Sequence, residues 1–288
     1  MSLMVPARTR QRGFTLTELA IVFLIVVLLI GGTVLTFSAQ NEARELADTQ
    51  RTLEQAREAV IGFALRNGRL PCPATNGAVD VSGAPTNPSG GNESFCPNAT
   101  GACGSPNVVV PPALAPAHGR CSNPNNGFVP AAALGIGPIE TNGASVNFGL
   151  PLDSWLQPIR YSVSQVLTPA PPANTMLFTA TGEMKRNVLA SPPLAPDLVV
   201  CTTSVGAVPA TPACGGGVPS FQTPAVVYST GKSPGALGAD EVENLNFDRV
   251  FVARPPSPFN PPAAGFDDLV TWVSPNILYN RMIAAGAI

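Results

Sequence analysis

Between Phe14 and Asn41 the sequence carries a single charged side chain, Glu18. From Leu19 to Ala39 there is none at all, and that run has the length of a helix crossing a hydrocarbon core about 30 Å thick. Three arginines, Arg8, Arg10 and Arg12, precede it with no acid among them. Positive charge stays on the cytoplasmic side, so the pattern predicts a cytoplasmic N-terminus and an extracytoplasmic remainder. A cleaved secretory signal is the competing reading. It calls for a shorter apolar core closed by small residues, and Phe37-Ser38-Ala39-Gln40 is a poor match to that. A plain one-span anchor fits the length but leaves Glu18 without a role. An acid one turn inside an apolar span costs roughly 2–3 kcal/mol, less near the interface.

Gly13-Phe14-Thr15-Leu16-Thr17-Glu18, set between a short basic leader and an apolar span, resembles the prepilin signature of type IV pilins and type II secretion pseudopilins. The resemblance covers about thirty residues. It implies removal of residues 1–13 by a prepilin peptidase cutting between Gly13 and Phe14, then N-methylation of Phe14. Glycine offers the peptidase no side chain to clash with. The cut frees an amine at Phe14, and Glu18 of one subunit is expected to pair with Phe14 of its neighbour. A costly charge thereby becomes a register device in a filament.

From Gln40 to Arg66 the chain turns amphipathic. Leu46, Leu53, Ala56, Val60, Phe63 and Ala64 recur at helical spacing, and acids and arginines fill the other faces. Arg51, Glu54, Arg57 and Glu58 are close enough for weak ion pairs on a solvated face. Gly68 and Pro71 end the pattern. The expectation is one helix from Phe14 to near Asn67, about 75 Å long at 1.5 Å per residue, with Gly31-Gly32 as a weak point. It divides into a membrane half, 14–39, and an amphipathic half, 40–67. An extracytoplasmic domain follows over 68–288.

That domain is loop-rich: the 288-residue chain holds 32 prolines and 27 glycines. Its six cysteines, Cys72, Cys96, Cys103, Cys121, Cys201 and Cys214, all follow the apolar run, on the side where oxidation is allowed. An even count predicts three disulfides, with 15 possible pairings. Cys201 with Cys214 is the favoured pair, because a short Pro/Gly loop joins them after a strand-like run. Zinc is the rival, weakened by the absence of Cys-x-x-Cys and by a single histidine, His118. Strands are predicted at 158–163, 175–180, 198–200, 225–229 and 248–253. Short connections favour antiparallel pairing. Ser274-Pro275 reads as the start of a terminal helix over 277–284. The fold class is α+β, with one long N-terminal helix packed on an antiparallel β-sheet and long disulfide-tied loops, which is also what a pilin-like resemblance implies.

Two further segments are similar to that family. Asp153-Ser-Trp-Leu-Gln-Pro-Ile-Arg-Tyr161 looks like the Asp-x-Trp-Gly-x-Pro-x-x-Tyr motif of major pseudopilins, with Leu156 in the glycine position. Tyr228-Ser-Thr-Gly-Lys-Ser-Pro-Gly235, followed by Asp240, Glu241 and Glu243, resembles the Gly-rich acidic loop that binds calcium in some members. Those three acids are therefore weak calcium candidates; a solvated acidic turn is the plainer reading. Gly68-Arg-Leu-Pro-Cys72 together with Phe266-Asp-Asp-Leu-Val-Thr-Trp272 resembles other proteobacterial prepilin-like proteins more loosely.

Little here predicts catalysis. Gly231-Lys232-Ser233-Pro234-Gly235 matches a nucleophile elbow on paper, but Pro234 lacks the N–H that an oxyanion hole needs, and His118 precedes the serine. His118 reads as a loop residue. Net charge is −2, with 14 Arg against 2 Lys, so no basic field points to nucleic acid. No enzyme activity and no small-molecule substrate is expected. The reading is a minor pilin or pseudopilin, an inner-membrane subunit with a periplasmic domain that joins a type IV pilus or a type II secretion pseudopilus. Its expected partners are prepilin peptidase and other pilin subunits. A pilus-tip adhesin or substrate-binding subunit using the loops of 72–135 is one alternative. A membrane-anchored extracytoplasmic enzyme is another.

Overall fold

A computed structural model describes residues 15–75, 90–99, 103, 108–110, 112–137, 149–166, 176–185, 196–208, 212–215, 220–233, 235, 238–258 and 265–288. At 30–39, 108–110, 112, 166, 176, 177 and 220 it describes the backbone alone. Residues forming compact units divide at Leu46/Ala47. Helix α1, Leu16–Asn67, begins in the first unit and ends in the second, and its backbone stays helical through Gly31-Gly32. The expected membrane half lies partly outside the described side chains. Among the described residues no helix is long and apolar enough to cross a membrane.

In the second unit the amphipathic pattern acts as expected. Leu53, Ala56, Val60, Phe63 and Ala64 are buried, joined by Ile61 and Thr49. Leu46, the last residue of the first unit, is half-buried. The opposite side of the helix carries an exposed ion pair, Arg51–Asp48 at 2.7 Å, and a half-exposed one, Arg57–Glu54 at 2.8 Å. Such pairs contribute little in high dielectric. Arg66, in the last turn, meets the negative end of the helix dipole, and Gly68 exits with a left-handed φ of 65°.

The strands are β1 (Glu93–Phe95), β2 (Val108–Val110), β3 (Gly127–Phe128), β4 (Arg160–Val163), β5 (Gln165–Val166), β6 (Met176–Leu177), β7 (Leu198–Cys201), β8 (Ser220–Thr223), β9 (Ala225–Ser229), β10 (Val250–Val252) and β11 (Leu269–Val273). A four-stranded antiparallel sheet runs in the order β11-β9-β4-β3. All five residues of β9 are buried, as a central strand covered on both faces requires. Val226 and Tyr228 pack against Leu198, Val200 and Phe251 of a second sheet, ordered β10-β7-β8. The Tyr228 and Phe251 rings lie 5.5 Å apart and tilted, a favourable aromatic geometry. The helix, the first sheet and the second sheet are thus layers around shared apolar cores, the α+β arrangement expected.

One pairing departs from expectation. β10 runs parallel to β7, with Val250 opposite Val199 and Val252 opposite Cys201. Between them the chain runs through β8 and β9 and then through a helix, α3 (Ala239–Leu245), that leads into β10. A crossover through a helix therefore replaces the antiparallel pairing expected here. Strand β6 is also shorter than predicted, because Phe178 and Thr179 leave the ladder. Phe178 O instead accepts the Leu70 N–H (2.7 Å), and the Thr179 hydroxyl donates to Gly119 O (2.5 Å). Two short helices complete the fold: α2 (Ala131–Leu134), and α4 (Pro275–Ala284) with proline in its first turn.

Three disulfides staple the loops: Cys72–Cys121, Cys96–Cys103 and Cys201–Cys214. The last is the pair that the short loop suggests. Beside the first lies a buried ion pair. Arg69 reaches Glu93 through two bonds of 2.6 and 2.7 Å, and Glu93 Oε1 also accepts the Cys72 N–H at 2.8 Å.

Candidate functional site

The N-terminal segment carries the clearest functional signal, and its geometry starts at Thr15. Gly13 and Phe14, the expected cleavage pair, lie outside the described residues, as does the basic leader. Glu18 is described. Its Oε2 accepts the Thr15 N–H (2.9 Å) and the Thr15 hydroxyl (2.8 Å), while the Glu18 N–H points back to Thr15 Oγ1 (3.3 Å). This is a reciprocal capping box, Thr-x-x-Glu, that satisfies orphan donors at the start of α1. The carboxylate is therefore not an unpaired defect in the single chain. The same Thr15-x-x-Glu18 spacing is visible in the sequence, and this local role stands beside the intersubunit pairing expected of Glu18. Downstream, Leu19, Ile21, Val22, Phe23, Leu24 and Leu28 are all exposed. A continuous apolar surface of this kind marks a membrane or protein interface.

The Asp153 motif forms a tight turn ahead of β4. Asp153 Oδ1 accepts the N–H groups of Trp155 (2.9 Å) and Gln157 (2.8 Å), and Oδ2 accepts the Ser229 hydroxyl (2.5 Å). Burial pushes the Asp153 carboxyl up, against these bonds from Ser229, Gln157 and Trp155. Leu156 sits at φ 62°, the left-handed conformation that glycine would take without strain. The position that departs from the family motif is thus the one whose backbone favours glycine. Tyr161, the motif's last residue, is buried and donates its hydroxyl to Pro71 O at 3.2 Å. Ser154 ties the turn to α1 through the Thr49 hydroxyl at 3.1 Å.

The structure does not bring the three calcium candidates together. Asp240 is occupied by the Ser204 N–H (2.7 Å) and hydroxyl (2.8 Å) and by Arg254 Nε (2.7 Å). Burial opposes its ionisation, but the Ser204 bonds and Arg254 hold the Asp240 carboxyl below the usual range. Burial, with the charges of Asp248 and Asp240, lifts Glu243 to about 6. Glu241 turns inward instead and meets Asp267 and Asp268, with one oxygen from each residue within 4.8 Å of the others. Glu241 Oε1 accepts the Asp267 N–H (3.0 Å) and Oε2 the Gly238 N–H (3.1 Å). Asn244 Nδ2 donates to Asp268 (2.7 Å) and the Ser233 N–H to Asp267 (3.0 Å). Burial lifts Asp268 to about 7, and the Glu241 and Asp267 charges push the same way. A shared proton or a divalent cation would relieve the repulsion within this trio, of which only Glu241 is among the calcium candidates read from the sequence.

This cluster also explains the elbow-like motif. A side chain at Gly231 would lie 2.4 Å from Asp267 O and 2.5 Å from its Oδ1, at a φ of 62°. Glycine is there for a close backbone approach, and the Ser233 backbone N–H is spent on Asp267. His118 is half-buried; its Nδ1 accepts the Arg120 N–H at 3.0 Å, and burial with the nearby Arg120 charge lowers its pKa.

Residues 8–34 match the family model of the prokaryotic N-terminal methylation motif. No curated protein and no solved structure matches the chain. The match frames the Thr15–Glu18 capping box and the apolar face that follows it. At its N-terminal end, the chain carries the prepilin-type methylation motif of type IV pilin-like proteins.

Proposed function

We propose that the chain is a minor pilin or pseudopilin of a type IV pilus or a type II secretion pseudopilus. Prepilin peptidase removes residues 1–13 between Gly13 and Phe14, and Phe14 is N-methylated. Residues 14–39 hold the subunit in the inner membrane with the N-terminus cytoplasmic and the disulfide-tied domain periplasmic, until it moves into a filament with other pilin subunits. The single observation that carries this reading is the methylation motif over residues 8–34, with Glu18 inside it. The bulk of the folded domain, with its long stapled loops, supports a minor position rather than that of the repeating subunit.

In this account Glu18 has two successive partners. In the single chain it closes the capping box with Thr15. In the filament, the amine of a neighbouring Phe14 offers a full positive charge, which outcompetes a neutral N–H and hydroxyl in a dry environment. The test is Glu18→Ala in the native host. The variant is expected to lose its leader normally but to be depleted from sheared filaments. Undiminished incorporation would remove the pairing argument.

A further inference from the structure

On the β3–β4 side of the domain lies a cavity of about 460 Å³, within the size range of small-ligand pockets. All its lining residues belong to the folded unit, so it stands independently of the membrane reading. Arg160 lines it. The guanidinium lies 5.1 Å from the centroid of the Phe128 ring, and Nη1 donates to Asn126 Oδ1. Asn126 is itself fixed: its Oδ1 accepts the Tyr228 hydroxyl (3.1 Å) and its Nδ2 donates to Leu245 O (3.2 Å). Among the described residues no carboxylate forms an ion pair with Arg160. The buried Asp268 feels its charge at a distance. A guanidinium held over an aromatic ring, with a described hydrogen bond to Asn126 and the Tyr228 hydroxyl beside it, has donors left for a planar anion.

The rim adds a second, separate observation. Phe247 is 66% exposed and holds a left-handed φ of 65°. A large aromatic in that conformation costs free energy twice, in backbone strain and in wetted apolar surface. The neighbouring walls are hydroxyls and amides, Thr75, Ser122 and Asn123. Asn123 spends one donor on Asn126 O (2.8 Å) and one acceptor on the Asn126 N–H (3.3 Å), which leaves one of each for a ligand.

The geometry points to a binding site for an acidic sugar, a uronic acid unit of a glycan. The carboxylate pairs with Arg160, the C–H face of the pyranose covers Phe247, and the ring hydroxyls meet Asn123 and Ser122. A bare carboxylate would meet only Arg160 and leave Phe247 wet. A neutral sugar would leave Arg160 unpaired.

The test uses the full chain in detergent, titrated with methyl β-glucuronide and methyl β-glucoside by calorimetry and ligand-observed NMR. Binding of the glucuronide is expected, with the glucoside and acetate each weaker by about tenfold or more, the scale of one charge-assisted contact. Arg160→Lys keeps the charge but loses the planar fork, and should weaken the glucuronide by a similar factor. Phe247→Gly is the fold-independent control: glycine suits the backbone there, so the melting temperature should hold or rise while saturation transfer to the sugar C–H face is lost. Absence of glucuronide binding to the wild-type chain at tens of millimolar would overturn the proposal. So would equal affinity for the glucoside or acetate, or binding unchanged in Phe247→Gly.

Discussion

Breaking the Arg69–Glu93 pair should be the most damaging change away from the cores. Glu93 is fully buried and Arg69 is 3% exposed, so neither charge is screened by water. Their two bonds, 2.6 and 2.7 Å, form the parallel fork of a guanidinium and a carboxylate. Arg69→Met keeps the packing of the side-chain stem near Phe63 and Phe95, whose ring centroids lie 5.0 and 5.7 Å from the guanidinium carbon. It strips Glu93 of everything described except the Cys72 N–H. An orphaned buried charge costs about 3–5 kcal/mol, a large share of the 5–15 kcal/mol typical of a domain. Arg69→Met with Glu93→Gln removes both charges, and glutamine can still accept the Cys72 N–H. The double variant should therefore be more stable than Arg69→Met alone. Urea unfolding of residues 40–288 with the disulfides intact measures all four corners of the cycle. If Arg69→Met lies within about 1 kcal/mol of wild type, or if the two changes simply add, the pair does not hold this loop as argued.

At Leu156, stability should rank glycine at or above leucine, and leucine above valine by about 1 kcal/mol, because a β-branched residue is the poorest fit to a left-handed backbone; valine matching leucine in thermal melts would contradict the φ of 62°. The Glu241–Asp267–Asp268 cluster makes a signed pH prediction. Asp268 titrates at about 7 in the fold against an ordinary 3.8, so its stabilising proton is fully in place at low pH and is lost as pH rises toward 7. Melting curves from pH 5 to 7.5 should show Asp268→Asn gaining on wild type as pH rises, and parallel curves would refute the assignment. Among the disulfides, removing Cys72–Cys121, which spans 49 residues, should cost about 4 kcal/mol on the chain-entropy model, and removing Cys96–Cys103, which spans 7, about 2; the reverse order in urea would show that loop closure does not govern their worth.

What the sequence made legible was whatever has a short period or a local motif. The stripe from Leu53 to Ala64 is buried as its spacing requires, and β9 covers the 225–229 expected of it. The turn at Asp153 was legible as a motif, and the substitution at Leu156 marked the strained backbone. Contacts between distant segments left no such trace. Glu241 looks like one more acid beside Asp240 and Glu243, and only the packing of α3 carries it to Asp267 and Asp268. The parallel pairing of β10 with β7 depends on where a seven-residue helix sends the chain, which periodicity does not encode. Arg160 reads in sequence as one position of a strand, and it shares a cavity with Phe247 only because the loop at Asn125 and Asn126 meets the segment at Leu245–Phe247.

The central claim is that residues 8–34 act as a processed prepilin signal. Peptide and intact mass spectrometry of the protein from its native membrane tests it most directly. The mature chain is expected to begin at N-methylated Phe14, with residues 1–13 gone. A chain still beginning at Met1, or one cut near Ala39, would contradict it.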